Sequence, residues 1–137
     1  MWEYEYSVET TTDQAQLWRC WSEVELWPRW NDGIASITVD GPFAVGMRFV
    51  MTPPDSEPVS MQIVEIEDGL SFVDEMDAGD FVVRTIHRLQ PHSGGTLVTY
   101  RTEITGPLAD SVGPELGPEI TADFPDVIAA LIKRAEG

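Results

Sequence analysis

Four side chains that could bind a polar group or transfer a proton stand at alternating positions in two segments, FVVRTIHRLQP and GGTLVTYRTEITG. If both segments are β-strands, residues two apart share a face. Thr85 and His87 then share one face of the first strand, and Tyr100 and Thr102 one face of the second. Such a band could orient a carbonyl or hydroxyl group of a ligand, or His87 and Tyr100 could act as general base and acid. The alternative is a structural histidine satisfied by neighbouring backbone or hydroxyl groups.

A run of carboxylates, VDEMDAGD, closes the predicted strand segment LSFVDEMDAGD and contains Asp74, Glu75, Asp77 and Asp80. Paired carboxylates can perform acid/base chemistry. These four cluster near a strand end and a turn, so we interpret the run as a solvated loop.

Other kinds of site lack the residues that they need. His87, His92 and Cys20 are far apart in the sequence and have no zinc-like spacing, and the carboxylates follow no calcium-binding pattern. The sequence has no G-x-S-x-G motif and no dinucleotide fingerprint. We therefore expect no metal and no cofactor, and we interpret Cys20 as a small buried hydrophobic residue.

Tryptophan is concentrated in the segment LWRCWSEVELWPRW, which holds Trp18, Trp21, Trp27 and Trp30. A tryptophan buries a large apolar ring and carries an N–H that needs a partner, which suits either a core or the mouth of a pocket. Both interpretations remain open on composition alone.

The elements that would position these residues follow from the hydrophobic periodicity. WEYEYSVET alternates as a half-buried strand, DQAQLWRCWSE fits a short helix, and Pro28 limits VELWPRW to a second short helical turn. Six further strand patterns follow, separated by Gly, Pro and Asp-rich turns, and predict an antiparallel meander. Within it, Phe81, Val83 and Leu89 share the face of Thr85 and His87, and Arg84 and Arg88 lie on the outer face.

The C-terminal segment predicts a helix with one apolar face, formed by Ile120, Phe124, Ile128, Leu131 and Ala135. Its glycines and prolines at 113, 114, 117 and 118 predict an irregular first part, and Pro125 a kink or a helix start. A long amphipathic helix must pack on the one available sheet, so residues 1–137 form a single two-layer α+β domain.

The charge balance excludes some partners. Eight Lys and Arg against 24 Asp and Glu give a net charge of −16, which repels nucleic acid and anionic membrane surfaces. No apolar run is long enough to insert in a membrane. A single cysteine and an N-terminus without a signal-peptide pattern lead us to expect a cytoplasmic protein.

The order of elements and several motifs resemble the START-like (SRPBCC) superfamily and, within it, the polyketide cyclase/dehydrase and lipid-transport group. The resemblance is carried by Trp18 with WPRW at 27–30, by DGPFAVG at 40–46, by GGTLVTYRTEITGPLA at 94–109 and by the C-terminal FPDVIAALIKRAE. It implies the helix-grip fold, with a seven-stranded antiparallel sheet wrapped around a long C-terminal helix and two short helices after strand 1. It also implies an elongated apolar cavity between sheet and helix.

On this resemblance the first hypothesis is binding of a hydrophobic small molecule, such as a lipid, an aromatic compound or a polyketide, by a monomer or homodimer. Trp18 and Trp21 would then be core residues, and Trp27 and Trp30 would lie near the cavity mouth. The expected ligand-binding residues combine this mouth with the inner strand face and the gripping helix: Trp27, Trp30, Phe81, Val83, Thr85, His87, Tyr100, Thr102, Phe124 and Ile128. The alternatives are a polyketide cyclase, aromatase or dehydratase acting in the same cavity, with His87 and Tyr100 as the candidate proton-transfer pair, and an acidic protein-interaction module without a cavity.

Overall fold

The computed structural model describes residues 1–137 and contains one seven-stranded sheet and three α-helices. The strands are β1 (Trp2–Thr10), β2 (Ser36–Val39), β3 (Arg48–Thr52), β4 (Val59–Glu67), β5 (Ser71–Asp77), β6 (Val82–His92) and β7 (Gly95–Thr105). The helices are α1 (Gln14–Ser22), a 3₁₀ helix (Val24–Arg29), α2 (Ala109–Thr121) and α3 (Phe124–Glu136). The predicted two short helices after β1 and the six later strands are confirmed.

The sheet is antiparallel throughout and runs in the order β1-β7-β6-β5-β4-β3-β2. Strands β2 to β7 form the predicted meander, and β1 joins it beside β7. Strands β1 and β2 are therefore the two edges of an open sheet. The register pairs His87 with Tyr100 and Thr85 with Thr102 across β6 and β7, which places the predicted polar band on one face.

The inner face of the sheet packs against α1 and α3. Leu89 and Val98 on the strands are fully buried and belong to one core cluster with Leu17 of α1 and Ile128 and Leu131 of α3. The alternation along β6 and β7 buries one face of each strand, as the sequence predicts, and α3 buries its apolar stripe against that face.

The C-terminal segment departs from the sequence expectation in its first half. Residues 109–121 form a regular helix although Pro114 and Pro118 lie inside it. Gly113 and Gly117 face Trp2, and a Cβ atom at either position would lie 2.4–2.5 Å from that side chain. The glycines therefore let the helix approach the tryptophan closely, and the expected irregularity is wrong because tertiary packing stabilises the helix. Pro125 stands in the first turn of α3, where its missing N–H costs nothing.

Charged side chains occupy the outer face of the sheet. Arg84 pairs with Glu75 at 2.9 Å, and Arg101 pairs with Glu103 at 2.9 Å and also with Glu3. Arg101 and Glu103 lie two residues apart on β7, and the other two pairs join neighbouring strands. All are at least partly exposed to solvent, so each contributes about 1 kcal/mol or less. None of the helices has both the length and the apolar character needed to cross a membrane.

Candidate functional site

A cavity of about 350 Å³ lies between the inner face of the sheet, helices α2 and α3, and the segment around the 3₁₀ helix. Its volume is in the range of small-molecule sites. Of its 21 lining residues, 15 are hydrophobic. The walls are formed by Trp21, Trp27, Trp30, Asn31, Gly33, Ile34, Met51, Val59, Met61, Phe72, Asp74, Met76, Val83, Thr85, His87, Tyr100, Leu116, Ile120, Asp123, Phe124 and Val127.

The strand register arranges residues of the inner sheet face in two rows that run across the strands. Phe72, His87 and Tyr100 form one row, and Asp74, Thr85 and Thr102 form the next. Thr85 and Thr102 are joined by a hydrogen bond of 3.0 Å between their hydroxyl oxygens. Because the rows are adjacent, a ligand in the cavity would meet both.

His87 is held in a defined orientation by aromatic neighbours. Its ring stacks on Phe72 with centroids 4.0 Å apart and planes 4° apart, and the ring of Tyr100 meets it edge-on at 4.7 Å. Nδ1 lies 3.3 Å from the carbonyl oxygen of Phe72. A carbonyl only accepts, so Nδ1 carries the hydrogen and the neutral ring has its lone pair on Nε2.

The surroundings of His87 keep it uncharged. Burial lowers its pKa to about 3, although hydrogen bonding with the backbone of Phe72 and Thr85 acts in the opposite direction. A general base works best with a pKa near the working pH. At neutral pH His87 is therefore suited to accepting a hydrogen bond at Nε2 and is a weak base.

Tyr100 has a hydroxyl group that is partly satisfied by the protein. Its oxygen accepts a hydrogen bond of 3.1 Å from the indole Nε1 of Trp21, and burial raises its pKa. The hydroxyl hydrogen forms no hydrogen bond within the protein and is free to be donated to an acceptor in the cavity.

Asp74 is the residue that the sequence interpretation missed. It lies on the inner face of β5 and is only 6% exposed, whereas the run of carboxylates in the sequence predicts a solvated loop. That interpretation is wrong for Asp74 because Phe72, Asp74 and Met76 alternate toward the cavity, while Glu75 points outward to Arg84. The alternation Phe-x-Asp-x-Met was the available signal, and the neighbouring carboxylates obscured it.

The carboxyl group of Asp74 has no ion-pair partner and accepts no hydrogen bond from any other residue. Burial raises its pKa to about 7, and a hydrogen bond from its own backbone N–H acts against this shift. A carboxyl group with this pKa can both give and take a proton near neutral pH.

The mouth of the cavity lies at Gly33 and Asp123, which are exposed lining residues. Asp123 directly precedes α3, and partial burial raises its pKa. Trp30 is half-buried beside this opening, whereas Trp27 is 6% exposed and donates from Nε1 to the backbone oxygen of Trp21. The two tryptophans expected at the mouth thus occupy different depths.

The structure brings seven of the ten expected ligand-binding residues to the cavity wall. Those seven are Trp27, Trp30, Val83, Thr85, His87, Tyr100 and Phe124. The other three lie elsewhere: Thr102 is fully buried behind its bond to Thr85, Ile128 is fully buried in the core, and Phe81 packs against Val83, Ile104 and Ala109.

A second concavity of about 300 Å³ lies between the 3₁₀ helix and the segment after β2. Only five of its ten lining residues are hydrophobic, and its titratable groups are the exposed Glu23 and Glu25. It contains no buried polar group that could recognise a ligand, so the chemistry of the molecule is concentrated in the larger cavity.

The sequence matches the model of a family described as polyketide cyclase / dehydrase and lipid transport, over residues 1–136. The chain belongs to this family. No curated protein sequence matches it. The family description joins enzymes with binding proteins, so membership supports ligand binding or cyclase-like chemistry without naming a substrate.

Solved structures show the same Bet v 1-like helix-grip fold. A protein from Nitrosomonas europaea is 20% identical with a TM-score of 0.76, and the match covers 98% of this chain and 94% of that one. The di-domain ARO/CYC StfQ of the steffimycin biosynthetic pathway is 16% identical with a TM-score of 0.77, covering 98% of this chain and 50% of that one. Norcoclaurine synthase from Thalictrum flavum, in complex with dopamine and hydroxybenzaldehyde, is 14% identical with a TM-score of 0.73, covering 95% and 85%.

Proposed function

We propose that the protein binds a hydrophobic small molecule in the cavity between the sheet and the C-terminal helices. The observation that carries this proposal is the cavity itself, which has about 350 Å³ of space and mainly apolar walls. An interior that served only stability would be filled, because unfilled volume lowers the free energy of unfolding. The interaction-module hypothesis predicts a filled interior, so the cavity argues against it.

The polar groups in this apolar cavity would orient the ligand. Tyr100 can donate a hydrogen bond and Nε2 of His87 can accept one, and the two rings are in contact. A ligand with an aromatic or aliphatic body and one or two oxygen functions is complementary to these groups.

Native mass spectrometry of the purified protein, followed by organic extraction, tests the proposal directly. We expect a co-purifying hydrophobic compound, or a change in tryptophan emission when aromatic compounds are added, because Trp21, Trp27 and Trp30 line the cavity. A protein that carries no compound, and whose emission responds to no lipid or aromatic compound, would contradict the proposal.

A matched pair of variants separates binding in the cavity from binding on the surface. Val127→Phe places a ring in the cavity, and Ala129→Phe places the same ring on the exposed side of α3. We expect Val127→Phe to weaken binding at least tenfold and Ala129→Phe to leave the affinity unchanged.

A second candidate function, cyclisation or dehydration of a polyketide-like substrate, is favoured by one specific observation. Asp74 is buried in the cavity with a pKa of about 7, which suits the proton transfers of an aldol condensation or dehydration. Because Asp74 lines the cavity and burial raises its pKa while burial lowers that of His87, we favour Asp74 as the acid/base group, with His87 and Tyr100 in hydrogen-bonding roles, over the His87–Tyr100 pair considered from sequence.

Turnover of a poly-β-ketone thioester, followed by mass spectrometry, tests this candidate. We expect Asp74→Asn to abolish turnover and the wild-type rate to change with an apparent pKa near 7. A wild-type protein that binds the thioester and leaves it unchanged would leave binding as the function and remove catalysis.

A further inference from the structure

The cavity combines a buried acid with aromatic walls and contains no basic side chain. Its lining includes two carboxyl groups, Asp74 and Asp123, one on the inner face of the sheet and one at the mouth. No Lys or Arg is among the lining residues. His87 and Tyr100 are the other titratable groups that face this space, and both are neutral at physiological pH.

Asp74 is the decisive group because nothing in the protein pairs with it. Its residue is 6% exposed and lines the cavity, and its carboxyl group has neither an ion-pair partner nor a hydrogen bond from another residue. A buried charge without a partner is costly, and proteins normally supply a counter-ion or a hydrogen-bond donor. A positively charged group of a ligand would provide that missing partner.

The walls of the cavity that holds Asp74 favour an organic cation. Six of the lining residues have large aromatic rings: Trp21, Trp27, Trp30, Phe72, Tyr100 and Phe124. Aromatic faces attract ammonium groups, and the attraction is stronger when water is excluded. The structure brings no three His, Cys, Asp or Glu side chains together in a way that could hold a metal ion.

This inference rests on the proposed function and specifies its ligand. We infer that the ligand is a hydrophobic ammonium compound whose cationic group pairs with the Asp74 carboxylate. Its apolar body would occupy the aromatic part of the cavity. Asp123 at the mouth and the net charge of −16 would attract such a cation and repel carboxylate-bearing lipids.

Three probes with one skeleton test the inference by calorimetric titration at pH 8. Phenethyltrimethylammonium carries a permanent positive charge, (3,3-dimethylbutyl)benzene is its neutral carbon isostere, and 3-phenylpropanoate carries a negative charge. We expect the cation to bind roughly 10- to 100-fold more tightly than the neutral compound, as is typical of a desolvated charged contact. We expect the anion to bind most weakly.

Two charge-matched variants assign the preference to Asp74. Asp74→Asn removes the buried charge, and Asp68→Asn removes one from the exposed turn before β5. We expect Asp74→Asn to bind the cation and the neutral isostere equally, and Asp68→Asn to keep the wild-type preference.

The wild-type protein alone supplies a second readout, which does not depend on the folding of a variant. The charge of a quaternary ammonium probe does not change with pH, so a change in its affinity reports titration of the protein. We expect the affinity to fall as pH decreases below about 7, where Asp74 becomes protonated. His87 stays neutral over this range, and an Asp123→Asn variant that keeps the inflection would exclude the carboxyl group at the mouth.

The outcomes separate the inference from the proposed function. If the neutral or the anionic probe binds as tightly as the cation, the ammonium inference is overturned and hydrophobic binding stands. If no probe binds, and no hydrophobic compound co-purifies or changes the tryptophan emission, both fail.

Discussion

The inner face of the sheet has two ends that are built from the same strands and packed in different ways. The filled end consists of Leu17, Leu89, Val98, Ile128 and Leu131, which are all 0% exposed and belong to one core cluster. The open end consists of the residues that line the cavity.

Neighbouring positions on one element fall on either side of this boundary. On α3, Val127 lines the cavity and Ile128 is fully buried in the core. On β6, His87 lines the cavity and Leu89, two residues later, belongs to the filled end. The strands and α3 are therefore close-packed at one end. At the other end they border the cavity, and the strands turn polar side chains toward it.

The largest expected effect comes from truncating side chains at the two ends. Ile128→Ala or Leu131→Ala should lower the free energy of unfolding by about 2–5 kcal/mol, because each leaves a hole in a close-packed region. Val127→Ala should cost about 1 kcal/mol, because its side chain already borders open volume. Urea denaturation measures both, and equal losses at 127 and 128 would contradict the distinction between the ends.

A second effect concerns pH and the two buried titratable groups of the open end. The pKa of Asp74 is raised from 3.8 to about 7, so the folded state binds more protons between these values and stability falls as pH rises through them. The pKa of His87 is lowered from 6.5 to about 3, so the unfolded state binds more protons and stability falls as pH decreases from 6.5. Between about pH 4 and 6.5 the two slopes oppose one another.

Asp74→Asn should remove the loss of stability with rising pH that comes from Asp74 and keep the loss of stability with falling pH that comes from His87. We expect this variant to be more stable than the wild type at pH 8, by at most about 4 kcal/mol, and to lose stability steadily as pH falls from 6.5 toward 4. Thermal unfolding between pH 4 and 8 measures the stability of the variant relative to the wild type, with Asp68→Asn as the control. A wild-type advantage at pH 8 would show that the folded protein stabilises the ionised Asp74.

A smaller effect is expected at the boundary between the ends, where Trp21 donates to Tyr100. Tyr100→Phe removes the acceptor and leaves the indole N–H of Trp21 buried without a partner, which should cost about 1–3 kcal/mol. In Trp21→Phe/Tyr100→Phe neither polar group remains, so the double variant should lose less than the sum of the two single variants. Additive losses would mean that the hydrogen bond contributes nothing measurable.

The smallest change in stability should follow from filling the open end. Val127→Phe should alter the free energy of unfolding by less than about 1 kcal/mol, since the cavity accepts the ring, whereas Ile128→Phe should cost about 1–3 kcal/mol by overpacking. Chemical denaturation compares the two, and a large loss for Val127→Phe would show that the cavity cannot accept a larger side chain.

The sequence predicts most of the fold and only part of the site. Alternation of apolar and polar residues places His87 and Tyr100 on the inner face, because a period of two fixes the face of every residue once a strand is recognised. The same rule applies to Asp74, but the three carboxyl groups that follow it in VDEMDAGD made a solvated loop the simpler interpretation.

Two features depend on tertiary packing and could not be predicted from local patterns. The regular helix at 109–121 is stabilised by the approach of Trp2 to Gly113 and Gly117, from more than a hundred residues away in the chain. The separate positions of Thr102 and Ile128 outside the cavity wall depend on which side chains fill the space in front of them, and hydrophobic periodicity does not specify this.

The two edges of the open sheet bear on how the molecule behaves at high concentration. An unpaired edge strand is a template for aggregation through intermolecular β-pairing. At one edge, β1 carries Glu3, Glu5 and Glu9. Two copies that paired through β1 would bring these negative charges close together, and the charges would repel one another. At the other, β2 has only four residues, which is too short to support many intermolecular hydrogen bonds. Both edge strands therefore disfavour aggregation through intermolecular β-pairing.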